Sequence, residues 1–162
     1  VLFGLEIVFG HQHRRRSLPG GSAFSLNVTA REELAVALLL QVNLHFLKGG
    51  IPPSPHLLAD ELNVPLLPLE TLFDQLERLG FLAETSGNRS GWLPARDPSE
   101  LQVSDVIAAL RGVSELQAET PVLRVAEEVV QKGWDGSRAF LEGVTIRELL
   151  LKMENQSGDS RQ

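Results

Sequence analysis

Cysteine is absent from all 162 residues. The chain by itself therefore forms no disulfide, no thiolate zinc site and no thiolate-held iron–sulfur cluster, and the absence agrees with a reducing compartment. Long apolar runs are missing as well. No stretch reaches the ~20 apolar residues that a bilayer-spanning helix needs, and the longest clean run, 34–40, suits a buried helix in a soluble fragment. Positive charge is scarce: 15 Lys and Arg stand against 21 Asp and Glu, a net −6, whereas a dedicated nucleic-acid binder shows a basic stripe. A Gly-rich phosphate loop, a nucleophile motif, a metal-ligand spacing and an internal repeat are also lacking. What is present, 43% apolar and 22% charged residues, fits one folded core with a small helical appendage.

The chain starts at Val1 instead of Met and is read as a fragment or a processed product. Residues 1–10 are apolar apart from Glu6, and His11, Gln12, His13, Arg14, Arg15 and Arg16 follow directly. An apolar segment closed by arginines has the form of the cytoplasmic end of a membrane-spanning helix, where Lys and Arg collect beside anionic headgroups. An amphipathic helix packed on the domain, or an unstructured boundary, is the alternative. A signal peptide has the opposite order, charges first. Residues 1–16 are thus expected to be the end of a truncated transmembrane helix with a membrane-proximal basic flank. Residues 17–28, with Pro19-Gly20-Gly21-Ser22, are expected to be a flexible linker.

Thr29 and Glu32 form a capping-box pattern that opens a helix to about Lys48, stopped by Gly49-Gly50. It is apolar on most faces and so belongs at the centre of a core. Ile51-Pro52-Pro53 is extended, and Ser54 with Pro55 starts a short helix to Leu62. After a turn over 63–67, Pro68 opens a helix ending near Gly80, with Leu69, Leu72, Phe73, Leu76 and Leu79 on one stripe. Two short strands, 81–85 and 92–95, flank a Gly/Asn/Ser tip and read as a hairpin. Ser104 then caps a helix to Arg111, closed by Gly112. This is the order of a winged helix-turn-helix. The expected fold class is mainly α with a small β-hairpin, and residues 29–112 are the winged-helix domain.

Residues 113–154 read as a C-terminal helical extension. An amphipathic helix starts at Thr120-Pro121 and is ended by Gly133; a short turn or helix spans 135–143; a second capping box, Thr145 with Glu148, begins the last helix. Residues 155–162 are a polar tail expected to be disordered.

Several stretches together resemble the cytoplasmic C-terminal domain of the YihY/BrkB inner-membrane proteins, historically named ribonuclease BN. They are the apolar segment ending near Gly10–Arg16, then Glu33-Leu34-Ala35, Pro52-Pro53-Ser54, the Leu57, Ala59 and Leu62 positions, and Phe81-Leu82. The run from Trp92 through Pro94, Asp97 and Ser99 to Leu101 continues the likeness, with Asp105-Val106 and finally Thr145–Leu150. The resemblance implies a non-catalytic module on the cytoplasmic face of the bacterial inner membrane, without a cofactor. Its partners would be protein, either a second copy or another chain, together with the parent chain in the membrane. The wing and the Asp97-Pro98-Ser99-Glu100 stretch also resemble winged-helix regulators of the Rrf2 type. That alternative implies a soluble DNA-binding transcription regulator. Rrf2 members that sense iron–sulfur clusters or redox state carry cysteines after the wing, and none is available here.

The helix over 68–79 stands where a recognition helix would. Its side away from the Leu/Phe stripe carries Glu70, Thr71, Asp74, Gln75, Glu77 and Arg78, three acids against one base. Across 29–112 there are six Lys and Arg against eleven Asp and Glu, and the wing adds Arg89 and Trp92. Phosphate contact depends on Lys and Arg, so charge argues against DNA. Asp97 and Glu100 read as a turn, and Asp60-Glu61 and Glu127-Glu128 as solvated helix faces. His11 and His13 share no helix face, while His45 and His56 stand alone. No catalytic, cofactor-binding or metal-ligating residue is assigned, and the chain is expected not to be an enzyme. Trp92 and Trp134 read as packing anchors. The helices over 121–132 and 145–154 are candidates for homodimer pairing or for folding back on their own domain.

Overall fold

The computed structural model describes residues 26–86, 90–112 and 118–159. The apolar start with Arg14, Arg15 and Arg16, the linker through residue 25, Arg89 at the wing tip and residues 160–162 lie outside the described residues. The described helices are α1 (Val28–Leu47), α2 (Pro55–Leu62), α3 (Leu66–Arg78), α4 (Val103–Arg111), α5 (Pro121–Phe140) and α6 (Ile146–Asp159). Between α3 and α4 lie the strands β1 (Leu82–Glu84) and β2 (Trp92–Pro94), paired antiparallel with Leu82 opposite Pro94 and Glu84 opposite Trp92. The chain is mainly helical with one small hairpin, a winged-helix fold. None of the described helices is long and apolar enough to cross a membrane.

The core follows the apolar spacing. α1 buries Leu34, Ala35, Leu38, Leu39 and Val42 on the side that meets α3 and α4. α3 contributes Leu69, Leu72, Phe73 and Leu76, its one apolar stripe. Trp92 from β2 stacks on Phe73 with ring centroids 4.6 Å apart and planes 10° from parallel, fastening the wing to α3. α6 folds back: Ile146 and Leu150 are buried with the rest of the core. Two polar residues, Asn43 and Ser104, are buried in this interior. Asn43 of α1 donates Nδ2 to the Leu39 carbonyl at 2.7 Å, while its Oδ1 has no partner.

The helix-turn-helix corner is shaped by one non-glycine residue in the left-handed region. Asn63 has φ 51°, and the amides of Asn63 and Val64 donate back to the Asp60 and Ala59 carbonyls at 3.2 and 3.0 Å. This closes α2 with a Schellman arrangement, in which Asn is a tolerated substitute for Gly. A glycine with no room for a side chain lies at the wing. A Cβ on Gly91 would fall 2.3 Å from the Pro52 carbonyl oxygen, because Trp92 N–H donates to Pro53 O at 3.0 Å and draws the 52–53 segment along the outer edge of β2.

Several helix ends differ from the sequence expectation. Asn27, not Thr29, caps α1 by accepting the Ala30 amide at 2.8 Å, and Glu32 is turned aside to Arg111 at 2.6 Å. α3 starts at Leu66, two residues before Pro68; a proline in the first turn removes only an amide that has no intrahelical partner anyway. α4 starts at Val103 without a side-chain cap, since Val103 N–H donates to Val144 O and Ile146 N–H to Leu101 O, both at 2.9 Å. Ser104 is buried instead. The largest difference is α5, which runs through Gly133 and Gly136 to Phe140. Each glycine costs a helix about 1 kcal/mol. Pairs one turn apart bridge the weak point: Lys132 to Glu128 at 2.6 Å, Gln131 to Asp135 at 3.0 Å and the Ser137 hydroxyl to the Gly133 carbonyl at 3.0 Å. The Thr145–Glu148 capping box forms as expected, with reciprocal bonds of 3.0 and 3.2 Å. α6 then continues past residue 154 to Asp159.

Candidate nucleic-acid interface

The outer surface of α2, α3 and the hairpin forms one continuous candidate face. α2 is opened by Ser54, whose Oγ accepts the Leu57 amide at 3.3 Å, and it exposes His56, Leu57 and Asp60. Ser54, Pro55 and the Asn63 corner set α3 behind it. The Leu/Phe stripe buries one side of α3, so the opposite side must face outward. Glu70, Thr71, Asp74 and Arg78 are exposed there, and Gln75 and Glu77 are half-buried. Leu67 adds an apolar contact at 66% exposure, near the first turn.

Local bonds hold several of these side chains. Thr71, exposed on this side, donates Oγ1 to the Leu67 carbonyl at 3.1 Å. Arg78 Nε donates to the Asp74 carbonyl at 3.1 Å, keeping the guanidinium along the helix. The Schellman turn at Gly80, φ 71°, ends α3, and Arg96 donates to the Gly80 carbonyl at 3.0 Å while lying 4.9 Å over the Phe81 ring. Where the strands give way to the hairpin loop, Thr85 Oγ1 accepts Gly91 N–H and donates to Gly91 O, each at 3.0 Å. Trp92 is buried against α3 and serves as an anchor, not as a surface contact.

The count of acids that argued against DNA looks different once their positions are known. Glu32 is committed to Arg111, and Asp105 meets Arg138 at 3.3 Å. Glu61 binds His45 at 2.9 Å and Gln41 at 2.8 Å. Burial opposes its ionisation, but hydrogen bonds from His45 and Gln41, with the charges of His45 and Lys48, outweigh this and hold its carboxyl below the usual range. Asp97 closes a turn by accepting the Ser99 hydroxyl and, at 2.8 Å, the Ser99 amide; these two bonds hold its carboxyl low as well. Each of these acids has a structural task away from the outer face of α3. For Glu32, Asp105 and Glu61 the sequence count missed this because partners 16 to 79 residues apart are not visible in a linear tally.

Asp97 and Glu100 thus remain a turn, and no group of three or more His, Asp or Glu side chains that could hold a metal ion occurs among the described residues. The Trp134 indole lies on the Arg111 guanidinium at 4.3 Å, a contact not foreseen from sequence, where Arg111 appeared only as a helix end.

Comparison with known proteins identifies the fold's relatives. A family model, Rrf2, described as an iron-dependent transcriptional regulator, matches residues 28–152. The HTH-type transcriptional regulator IscR of Serratia proteamaculans is 32% identical over 85 residues, 52% of this chain and 51% of that protein. IscR of Aliivibrio salmonicida is 26% identical over 146 residues, 85% of this chain and 84% of that protein. The chain spans about half the length of several of the curated relatives it matches. Among solved structures, T. potens IscR superposes with a TM-score of 0.62 at 24% identity, over 83% of this chain and 93% of that one. CymR, the global cysteine regulator of B. subtilis, gives 0.59 at 19% identity, over 79% and 98%. These structural likenesses establish the winged-helix fold.

The family match overturns the likeness to YihY/BrkB proteins. With it go the ribonuclease BN label, the membrane module, the parent chain in the membrane, the inner-membrane location and the exclusion of DNA. The misleading stretch from Trp92 to Leu101 is winged-helix framework: Trp92 and Leu101 are buried and Asp97 makes a turn, so it carries no membrane signal. The relatives are transcriptional regulators, not enzymes, and the non-catalytic assignment stands. The iron in the family's description finds no thiolate here, because the chain has no cysteine; a cluster held by cysteines of this chain does not fit. The match extends from α1 through α5 into the first half of α6, and on it the chain belongs to the Rrf2 family.

Proposed function

We propose that the chain is a DNA-binding transcription regulator that works without a thiolate-held iron–sulfur cluster, with α3 as its recognition helix and the hairpin as its wing. The observation that carries this reading is the regulator-family match over 28–152, which includes an α3 whose outer side is left uncovered by the rest of the described chain. Acids do not disqualify such a helix. Glu and Asp accept from the cytosine amino group in the major groove, and a threonine methyl such as that of exposed Thr71 suits the thymine methyl. Glu70, Asp74 and Gln75 are then base-reading candidates. Arg78, Arg89 and the run Arg14–Arg16 are candidates for phosphate, together with backbone amides at helix starts.

Residues 29–112 act in this reading as the DNA-binding head and residues 113–154 as a pairing extension. α5 exposes Val122, Val125, Val129 and Phe140 along its outer side, and a second copy seated there would give the two-fold symmetry that matches paired half-sites about one helical turn apart. Selection of bound duplexes from a random-sequence pool, followed by electrophoretic shift at low and moderate salt, tests the assignment. The expected result is an enriched sequence bound more tightly than about 1 µM, with affinity that falls as salt rises. Glu70→Ala and Asp74→Ala should each relax the preference at one base position by about 1–3 kcal/mol. A pool that yields no salt-sensitive complex would sink the proposal.

A further inference from the structure

The joint between α3 and the wing is held from outside the helix. Past Arg78 the chain turns through Leu79 and Gly80, where φ is 71°, and reaches β1 at Leu82. Glycine restrains the backbone less than any other residue. Local bonds close part of the turn: Gly80 N–H donates to Glu77 O at 2.8 Å and Phe81 N–H to Leu76 O at 2.9 Å. The carbonyls of Leu79 and Gly80 lie beyond the helical ladder, where a side chain or water has to supply the donor.

Arg96 supplies it. Its Nε donates to the Gly80 carbonyl at 3.0 Å and its Nη2 to the Leu79 carbonyl at 3.4 Å. The guanidinium also lies 4.9 Å from the centroid of the buried Phe81 ring. A planar fork thus spans two successive carbonyls and a ring, at the negative end of the helix dipole. The backbone behind Arg96 is itself fixed. Asp97 closes its turn on the Ser99 amide; Arg147 N–H donates to Pro98 O at 3.0 Å and Ile146 N–H to Leu101 O at 2.9 Å, so this segment is anchored on α6. At the other end of β2, Trp92 is stacked on Phe73 of α3. Trp92 therefore fixes where the wing sits on α3, and Arg96 fixes how the end of α3 is turned against the wing. Without the fork, Gly80 is left to turn about the Trp92 stack and the short β1–β2 ladder.

We propose that Arg96 is a positioning residue of the DNA interface: it sets the angle between α3 and the wing without touching DNA, so that both reach the duplex together. The inference rests on the DNA reading above. Because Arg96 is exposed, direct contact with phosphate is the competing role, and the two roles predict different results.

The chain has no cysteine, so nitroxide labels at Asp74→Cys on α3 and Ser90→Cys on the wing report the joint by pulsed electron–electron resonance, in the full chain without DNA. Arg96→Met keeps an apolar stem beside Phe81 and removes the fork. Loss of a charge-assisted bond and an exposed cation–π contact should raise the population of displaced wings about fivefold, seen as a broader distance distribution. Helix content and thermal midpoint by circular dichroism should stay near the parent's. Arg96→Lys keeps the charge but not the fork, and should recover only a minor part of the narrow distribution. On a duplex selected by the parent protein, Arg96→Met should bind about fivefold more weakly with an unchanged salt slope. A slope lower by about one, with affinity restored by Arg96→Lys, would mark a phosphate contact and overturn the proposal. A distribution as narrow as the parent's, or parent-like affinity from a variant whose joint has loosened, would overturn it as well. A parent chain that binds no duplex sinks the DNA reading and the interface role of Arg96 with it, whereas failure of Arg96 alone leaves the parent's DNA binding intact.

Discussion

α3 and α5 are both amphipathic helices of this chain, yet the molecule uses them in opposite ways. α3 buries Leu69, Leu72, Phe73 and Leu76 of its stripe, and Phe73 is fixed further by the stacked ring of Trp92. α5 is seven residues longer and has no buried residue at all; Val122 is 77% exposed and Phe140 91%. Burial of a Leu or Phe side chain contributes about 1.5–3 kcal/mol, so α3 is held by its apolar side. α5 is held mainly by its own length, the Thr120 cap and one-turn side-chain pairs, and by a few polar ties to α4. The difference teaches that amphipathic spacing tells which side of a helix is apolar, but not whether this chain covers it.

The largest expected effect tests that contrast directly. Phe73→Ala should cost about 3–5 kcal/mol in denaturant unfolding, whereas Val129→Ala at low protein concentration should stay within about 0.5 kcal/mol. Equal costs would mean that α5 is as well packed as α3. At high concentration the Val129 variant should gain a stability deficit if a second copy covers α5, which sedimentation can follow in parallel.

Asn43 sharpens the head side of the comparison. Its buried Oδ1 is unpaired, and replacement of such a group by an apolar one of similar shape can be neutral or favourable. Asn43→Leu should raise stability by up to about 1 kcal/mol, read as a shift of the denaturation midpoint; a loss of more than 1 kcal/mol would show that the Nδ2 bond to Leu39 outweighs the orphaned oxygen.

Arg111 is where the two regions meet, through Glu32 on one side and Trp134 on the other. The carboxylate of Glu32 keeps its guanidinium charged to higher pH than usual. Arg111→Met should lower global stability by no more than about 1 kcal/mol, as partly exposed ion pairs do. Amide exchange in α5 should nevertheless speed up several-fold, with that of α1 and α3 little changed. Uniform acceleration in all three helices would erase the distinction between a fixed head and a lightly tethered α5.

The smallest effect concerns acid. Glu61 has a lowered carboxyl in the folded chain, so its contribution is complete above the ordinary carboxylate value and is lost as pH falls through the folded one. Glu61→Gln should therefore flatten the fall in stability below about pH 4.3 by a few tenths of a kcal/mol. A steeper fall in the variant would reverse the sign of that assignment.

Much of the head was legible in the chain because the relevant signals are local. The 68–79 stripe, the Ser54-Pro55 start, the Thr145–Glu148 box and the glycine-rich hairpin tip each depend on residues within one or two turns. Helix ends that depend on distant backbone were misplaced: the amide of Val103 is satisfied by Val144, across the fold, and Glu32 is drawn from its expected cap to Arg111. The outward side of α3 was legible from its apolar stripe. The argument against DNA, which weighed the acids of α3 and of the whole 29–112 segment, is overturned by the family match, while Glu70 and Asp74 stay exposed on that side. Gly133 shows the same limit as those helix ends, since a helix breaker by propensity is carried by pairs that surround it.

What the sequence determined by itself is the winged-helix order, the apolar stripes and the absence of any thiolate for iron, since these are set by residue type and short-range spacing. Tertiary structure alone decided that α6 returns to the core while α5 stays uncovered, and that Arg111 is neutralised by Glu32. The physical reason is common to all of these: burial and charge pairing are properties of neighbours in space, and here those neighbours lie up to 79 residues apart along the chain.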